Sequence, residues 1–140
     1  MKNNLRRIVV ILLACACVCS LVACAGGIKT SEAKETIESF LEAVVAEEYE
    51  AAEALLHPIK EVDLKAFFLD MEKEEGVDFQ KGVTIKRYIG FSSALYDSTV
   101  DGAKFTLTMV VEIGGEDATL EASVVRNDDG YGIYNFDLDA

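Results

Sequence analysis

The spacing of apolar residues changes at Gly76 from the period of a helix to that of a strand. Upstream, apolar residues recur three, four, seven and eight positions apart, as on one face of a helix. Downstream, they alternate with polar residues over several runs, as in half-buried strands. A run of helices followed by a run of strands predicts the α+β class, with N-terminal helices packed on a four-stranded antiparallel sheet.

Three helices are expected before Gly76. Ser31 is expected to cap the first of them. The second covers "YEAAEALLH" and ends at Pro58, because the residue before a proline avoids the helical region. Asp63 is expected to cap the third helix, and Gly76 to end it as a C-cap.

Four strands are expected after the helices. The first covers 83–91, with Val83, Ile85, Ile89 and Phe91 on one face and Tyr88 on the other. The other three are "AKFTLTMVVEI", "ATLEASVVR" and "YGIYNFDL", joined by turns at Gly114-Gly115 and at Asn127-Asp128-Asp129-Gly130.

An apolar segment with a basic start precedes the helices. Lys2, Arg6 and Arg7 come first, and the 15 residues 8–22 that follow are almost wholly apolar. This run is shorter than the ~20 residues that a membrane-spanning helix needs. A basic start, a short apolar run and small residues are typical of a secretory signal peptide.

All four cysteines lie within residues 15–24. Leu21-Val22-Ala23-Cys24 resembles the lipobox of bacterial lipoproteins, and this resemblance implies a diacylglyceryl thioether on Cys24 and cleavage before it. Leu12-Leu13-Ala14-Cys15 also fits the lipobox. Cleavage there would leave an apolar region of only seven residues, so Cys24 is preferred.

The cysteines do not indicate a metal site or a disulfide framework. Cys15, Cys17 and Cys19 are separated by single residues, whereas zinc sites space their cysteines by two to four residues and add a second pair. No cysteine follows Cys24, so residues 25–140 cannot form a disulfide. No metal and no cofactor is expected.

These patterns divide the chain into three parts. Residues 1–23 are expected to be the lipoprotein signal peptide, 24–30 the lipidated cysteine with a short tether, and 31–140 a single domain. Two acyl chains on one cysteine suffice for stable anchoring, so the expected location is the cell membrane, facing outside the cytoplasm. Ala25 is not the aspartate that retains lipoproteins at the inner membrane of some diderm bacteria. The resemblance favours the outer face of a monoderm cell membrane, although the type of host stays open.

From Cys24 onward the chain is strongly acidic. All 25 acidic residues and ten of the 13 basic residues lie there, which gives a formal net charge of −15. Nucleic acid is therefore not an expected partner, because its binding depends on Lys and Arg that neutralise phosphates. Direct attraction to anionic lipid surfaces is disfavoured for the same reason.

Two local patterns carry a second resemblance. The first is Phe40-Leu41-x-Ala43 followed by Glu48-Tyr49-x-Ala51-Ala52-x-Ala54-Leu55-Leu56-x-Pro58, and the second is Asp129-Gly130-Tyr131-Gly132-Ile133. They resemble the nuclear transport factor 2-like (cystatin-like) superfamily, and more narrowly small bacterial lipoproteins of unknown function with that fold. Glu48 stands where Asp is usual, and Tyr131 stands where Trp is usual. The resemblance covers residues 31–138 and implies a curved sheet wrapped against the helices around a conical cavity.

The cavity implied by this resemblance serves relatives as an active site, a ligand pocket or a filled core, so the fold alone does not choose among them. Tyr88, Tyr96, Tyr134 and Phe105 are the residues expected to line it. Isomerase and dehydratase relatives use Asp, Tyr and His inside the cavity, and Asp97 with the three tyrosines is the nearest set by residue type. None of these residues lies in a matching motif, so no catalytic residue is assigned.

His57 is the only histidine, so neither a Ser-His-Asp triad nor a two-histidine metal site can form. Its position before Pro58, at a predicted helix end, favours a structural or exposed role. The acidic "NDDG" stretch lacks the spacing of a calcium-binding loop and is interpreted as a hairpin turn.

Three functions remain. The first is a non-catalytic binding module at the cell envelope, with an unknown small molecule in the cavity or an envelope protein on the sheet. The second is a small isomerase-like or hydrolase-like enzyme that uses the same cavity. The third is a structural or assembly module that forms a homodimer through the sheet. A cavity filled by Phe67, Phe68, Phe105 and Phe136 would argue against both pocket functions.

Overall fold

The structure is a computed structural model that describes residues 27–140. The predictions on the signal peptide, on Cys15 and on the lipobox at Cys24 concern residues outside this range. The helices and strands are α1 (Thr30–Val45), α2 (Tyr49–Glu53), α3 (Leu64–Glu75), a 3₁₀ helix (Phe79–Lys81), β1 (Val83–Asp97), β2 (Gly102–Ile113), β3 (Glu116–Asn127) and β4 (Gly130–Asp139).

The four strands form one antiparallel sheet in the order β1-β2-β3-β4. The predicted α+β class and the order of helices and strands are confirmed. None of the helices within residues 27–140 is long and apolar enough to cross a bilayer.

A single residue sets each end of α3. Asp63 Oδ1 accepts a hydrogen bond from the Ala66 backbone N–H at 3.1 Å, and Gly76 ends the helix with φ +70°. Both predictions are therefore correct. The prediction for α1 is wrong, because that helix begins at Thr30 and places Ser31 in its first turn. The Glu32 carboxylate, rather than Ser31, accepts the backbone N–H of Lys29, at 3.5 Å.

The second helix is shorter than predicted. It ends at Glu53, and the chain then turns so that Leu56 forms a parallel bridge with Ile133 of β4. Ile133 N–H donates to the Leu55 carbonyl and His57 N–H donates to the Ile133 carbonyl, both at 2.8 Å. Pairing with β4 replaces the last helical turn, and no local periodicity could reveal this pairing.

The helices pack on one face of the sheet, called the inner face here. Strand β2 shows the alternation most clearly, since its odd-numbered residues from Ala103 to Ile113 are buried and its even-numbered residues are half-buried. Helix α1 lies over this face with Ile37, Phe40, Leu41 and Val44 buried against it. The apolar faces of the helices and of the strands therefore pack together in one core.

Strand β1 differs from its prediction in length and in facing. It continues to Asp97, and extra residues interrupt its register with β2 at Lys86 and at Ile89. Each β-bulge shifts the alternation by one position. Tyr88 consequently pairs with the buried Met109 on the inner face, whereas Ile89, predicted to face inward, is exposed.

Phe68 of α3 is the centre of an aromatic cluster between the helices and the sheet. Its ring centroid lies 5.9 Å from that of Phe40, 5.3 Å from Phe67, 5.0 Å from Phe79 and 5.4 Å from Phe136. The side chain is 2% exposed. This cluster joins α1, α3, the 3₁₀ helix and β4, and it fills the space between them.

Phe68→Ala should lower the free energy of unfolding by about 3–5 kcal/mol, because it leaves a cavity among four aromatic rings. Leu69→Ala is the matched control, since the neighbouring Leu69 is 44% exposed, and it should cost less than ~1 kcal/mol. Urea unfolding followed by circular dichroism measures both. Equal losses for the two variants would contradict the described core.

Candidate functional site

One groove opens between the α2–α3 loop, α3 and β4, with a volume of about 220 Å³. Its walls are mostly apolar and its lining includes one charged side chain, that of Lys60. The lining residues are Phe40, Leu56, Lys60, Val62, Leu64, Phe67, Ile133, Tyr134, Asn135 and Phe136.

The floor of the groove is the edge of the aromatic cluster. Phe40 and Phe136 line it while their rings pack against each other at 5.6 Å, and Phe67 lines it from α3. Phe68 and Phe79 lie behind these rings and are buried. The groove therefore stops at the cluster and does not continue into the centre of the domain.

The α2–α3 loop is held against β4 by the bridge between Leu56 and Ile133. This bridge requires glycine in the facing strand. A β-carbon on Gly132 would lie 2.4 Å from the His57 nitrogen, and one on Gly130 would lie 2.8 Å from Pro58 Cγ. The Asp129–Ile133 pattern thus has a physical role, because its glycines admit the loop that forms one wall of the groove.

His57 fixes the same loop through its side chain, which is 0% exposed. Its Nδ1 accepts a hydrogen bond from the Ile59 backbone N–H at 3.3 Å, so Nδ1 carries no proton. Nε2 therefore carries the proton and donates to Asn127 Oδ1 at 2.9 Å. The predicted structural role is correct, but the position is not a helix end and the side chain is not exposed.

Asn127 extends this network to the turn between β1 and β2. Its Nδ2 donates to the Val100 carbonyl at 2.8 Å, and its Oδ1 also accepts from the Asp129 backbone N–H at 3.0 Å. The "NDDG" stretch is a hairpin turn, as predicted. Three connecting segments, the α2–α3 loop and two hairpin turns, are thereby joined around one buried imidazole.

Lys60 provides the charge of the groove. Its Nζ lies 3.9 Å from the centroid of the Tyr134 ring, a cation–π geometry that holds the ammonium group at the rim. The edge of the Tyr134 ring also packs against His57, with centroids 5.8 Å apart. An apolar wall with a single cation at its rim suits a small apolar ligand that carries one negative charge.

Of the four residues predicted to line a cavity, Tyr134 lines this groove and the other three lie elsewhere. Phe105 lies on β2 and is buried in the core. Tyr88 lies beneath α1, where its hydroxyl donates to Glu38 Oε1 at 2.7 Å and Lys34 Nζ lies 4.1 Å from the ring centroid. Burial and the Glu38 carboxylate both raise the pKa of the Tyr88 hydroxyl.

Tyr96 lies on the outside of β1 and is 65% exposed. Its hydroxyl donates to Asp101 Oδ1 at 2.8 Å, and this hydrogen bond raises the pKa of the Tyr96 hydroxyl. Asp97 accepts hydrogen bonds from the hydroxyl and backbone N–H of Thr99, which lower the pKa of its carboxyl group. Asp97 therefore stabilises the turn, and the structure does not bring the isomerase-type set together.

Sequence reasoning missed Lys60, Val62 and Asn135. Lys60 and Val62 lie in "PIKEVD", which has no periodicity, and Asn135 lies in a strand predicted only by its alternation. The signal that could have indicated Lys60 and Val62 is the pair of apolar residues, Ile59 and Val62, that flanks Lys60 and Glu61. Within residues 27–140, no group of three or more His, Cys, Asp and Glu side chains is placed to hold a metal ion.

Comparison of the chain with protein-family models, with curated proteins and with solved structures finds no match. The resemblances to lipoproteins and to the nuclear transport factor 2-like superfamily therefore stay hypotheses, and the function is inferred from the site itself.

Gly132→Ala should destabilise the domain by about 1–3 kcal/mol, because the new methyl group overlaps the backbone at His57. Gly90→Ala is the matched control in another strand, since its β-carbon would have no heavy atom closer than 3.8 Å. Thermal unfolding of both variants checks this, and Gly90→Ala should be neutral or slightly stabilising. Equal stability of the two variants would contradict the bridge between the loop and β4.

Proposed function

We propose that this protein is a membrane-anchored extracytoplasmic lipoprotein whose domain is a non-catalytic binding module. The groove between the α2–α3 loop, α3 and β4 is its ligand site. The ligand is a small molecule with a short apolar part and one anionic group. The observation that carries this proposal is the groove itself, an apolar surface with the Lys60 ammonium group at its rim.

The chemistry of the groove supports binding rather than catalysis. The only histidine of the chain uses both ring nitrogens in hydrogen bonds and is buried behind the wall. The single ionisable group among the lining residues that is charged at neutral pH is Lys60. General acid–base work requires a positioned proton donor or acceptor beside the substrate, and a lysine stacked on a tyrosine ring supplies electrostatic attraction instead.

The anchor follows from the lipobox at Cys24 and places the module on the outer face of the cell membrane, as in a monoderm cell. The domain belongs, in this proposal, to the nuclear transport factor 2-like type, for which the helices on one face of a four-stranded antiparallel sheet are supporting evidence. In this proposal the aromatic cluster around Phe68 takes the place of the conical cavity of that type, and the groove lies at its edge. Formation of a homodimer through the sheet stays a prediction.

Cys24→Ala should abolish incorporation of an alkyne-labelled palmitate analogue when the full chain is expressed in a bacterium. Cys15→Ala is the matched control and should keep the label, because lipobox cleavage is expected before Cys24. In-gel fluorescence after attachment of a dye measures the label. Labelling of Cys24→Ala but not of Cys15→Ala would move the lipid to Cys15, and no labelling of the wild-type chain would refute the anchor.

Octanoate should shift the amide resonances of groove residues in two-dimensional NMR spectra of the domain, and octanol should shift the same set more weakly. Lys60→Met should weaken octanoate binding about tenfold, since it removes one charge-assisted contact, and should leave octanol binding unchanged. Lys65→Met, on the exposed side of α3, is the matched control. Octanoate affinity unchanged in Lys60→Met, or shifts confined to other surfaces, would refute the groove as an anion-selective site.

A further inference from the structure

The distal half of β1 is an uncharged surface. Residues 89–96, "IGFSSALY", contain no charged side chain. Within this run, Phe91 is 74% exposed, Leu95 is 77% exposed and Tyr96 is 65% exposed. These three residues are called the β1 strip. Large apolar residues exposed next to one another mark a surface that another body covers.

Phe91, the first residue of the β1 strip, is exposed because α1 stops short of it. Phe91 pairs with the buried Leu107, so its side chain points to the inner face, where the helices pack. Helix α1 covers this face at Tyr88, through Lys34 and Glu38. Beyond Tyr88, the Phe91 ring stacks on Phe105 at 6.0 Å, with an interplanar angle of 7°, and its other face is free of the helix.

The start of the described chain lies against this strip. A β-carbon built on Gly27 would lie 3.0 Å from Leu95 Cδ2. The Gly27 carbonyl accepts a hydrogen bond from Arg126 Nη1 at 2.8 Å, and Arg126 also forms an ion pair with Glu32. The Arg126 guanidinium lies 4.7 Å from the centroid of the Tyr131 ring. Arg126 therefore holds Gly27, at the end of the tether, beside Leu95.

The position of the anchor follows from covalent geometry. Three residue steps separate Gly27 from Cys24, so their α-carbons are at most about 11 Å apart. The glycerol of a lipid on Cys24 lies at the boundary of the hydrocarbon core, and the polar layer above that core is only about 5–8 Å thick. A side chain in contact with Gly27 is therefore held within reach of the lipid headgroups.

We infer that the β1 strip rests on the lipid bilayer and sets the orientation of the domain at the membrane surface. This inference rests on the lipidation of Cys24 proposed above. Aromatic and aliphatic side chains such as Phe91, Leu95 and Tyr96 favour the interfacial layer of a bilayer. A lipid surface is the occupant that the tether holds within reach at all times, whereas a second protein would have to diffuse to the strip.

The charge around the strip specifies the lipid. Asp97 and Asp101 flank it, with Lys104 paired to Ala94 and Arg126 held beside Leu95, and the chain from Cys24 onward carries a net charge of −15. An anionic surface would repel this net negative charge. The strip is therefore suited to zwitterionic headgroups, such as phosphatidylcholine or phosphatidylethanolamine, more than to anionic ones.

A single tryptophan can report on this contact, because the chain contains none. The full lipidated chain carrying Phe91→Trp is reconstituted into phosphatidylcholine vesicles, with and without phosphatidylcholine brominated near the top of its acyl chains. Glu116→Trp is the matched control, because Glu116 begins β3 and pairs with Ile113, about 20 Å along β2 from Leu107, the partner of Phe91. Circular dichroism and vesicle flotation verify that both variants are folded and membrane-bound.

Phe91→Trp should emit at a shorter wavelength in vesicles than in solution, and its emission should be quenched in the brominated vesicles. The emission of Glu116→Trp should be unchanged. Replacing part of the phosphatidylcholine with phosphatidylglycerol should reduce the loss. Failure of the wild-type chain to float with the vesicles would refute the anchor and with it this inference. Flotation with equal emission of Phe91→Trp in plain and brominated vesicles would refute the inference alone. A blue shift that depends on protein density in the vesicle, and not on bromine, would show that a second copy covers the strip.

Discussion

The packing of Phe68 against the rings of Phe40, Phe79 and Phe136 is the interaction on which the rest of the structure depends. A single antiparallel sheet exposes two faces, and residues 27–140, which contain no cysteine, must bury one of them with their own side chains. Helices α1 and α3, the 3₁₀ helix and β4 each contribute one of these four rings, and together the rings bury the inner face. Because the rings meet, they fill the space between α1, α3, the 3₁₀ helix and β4 within residues 27–140, and the groove proposed as the ligand site lies at the edge of the cluster.

The two edges of the sheet are treated differently, and this asymmetry accounts for the two proposed surfaces. At β4, the α2–α3 loop pairs with Ile133 and is fixed by the buried side chain of His57. The loop covers that edge and creates the groove. At β1, the strand continues past the end of α1, and its distal residues are exposed beside Gly27. One edge is thus closed by the chain itself, and the other is the edge for which a membrane contact is proposed.

Local signals predicted much of this fold. The change of period at Gly76, the cap at Asp63 and the glycines of the β2–β3 turn act through a few neighbouring residues, so the sequence shows them directly. The predicted facing of Tyr88 and Ile89 in β1 was wrong because bulges at Lys86 and Ile89 depend on the pairing with β2, which period counting cannot detect, whereas Val83, Ile85 and Phe91 share one face as predicted. The second helix was too long because Leu55–His57 pair with a strand that lies more than 70 residues further along the chain.

The candidate site was less predictable than the fold, for the same reason. Tyr134 was identified by residue type, whereas Lys60 comes from a loop whose position depends on the space that Gly130 and Gly132 leave. Tyr88 and Phe105 were expected near a cavity and instead belong to the packed interior or its rim. Side chains that converge from loops and distant strands have no fixed spacing in the sequence, so only the tertiary structure brings them together.

The most direct test of the filled interior is a nuclear Overhauser experiment on the domain with selectively labelled phenylalanine rings. A filled interior predicts cross-peaks from the Phe68 ring to the rings of Phe40, Phe79 and Phe136, and from the Phe91 ring to that of Phe105 but not to those of the cluster. Cross-peaks from Phe68 to solvent, or their absence between Phe68 and Phe136, would contradict it, because the helices would then leave an open cavity over the sheet.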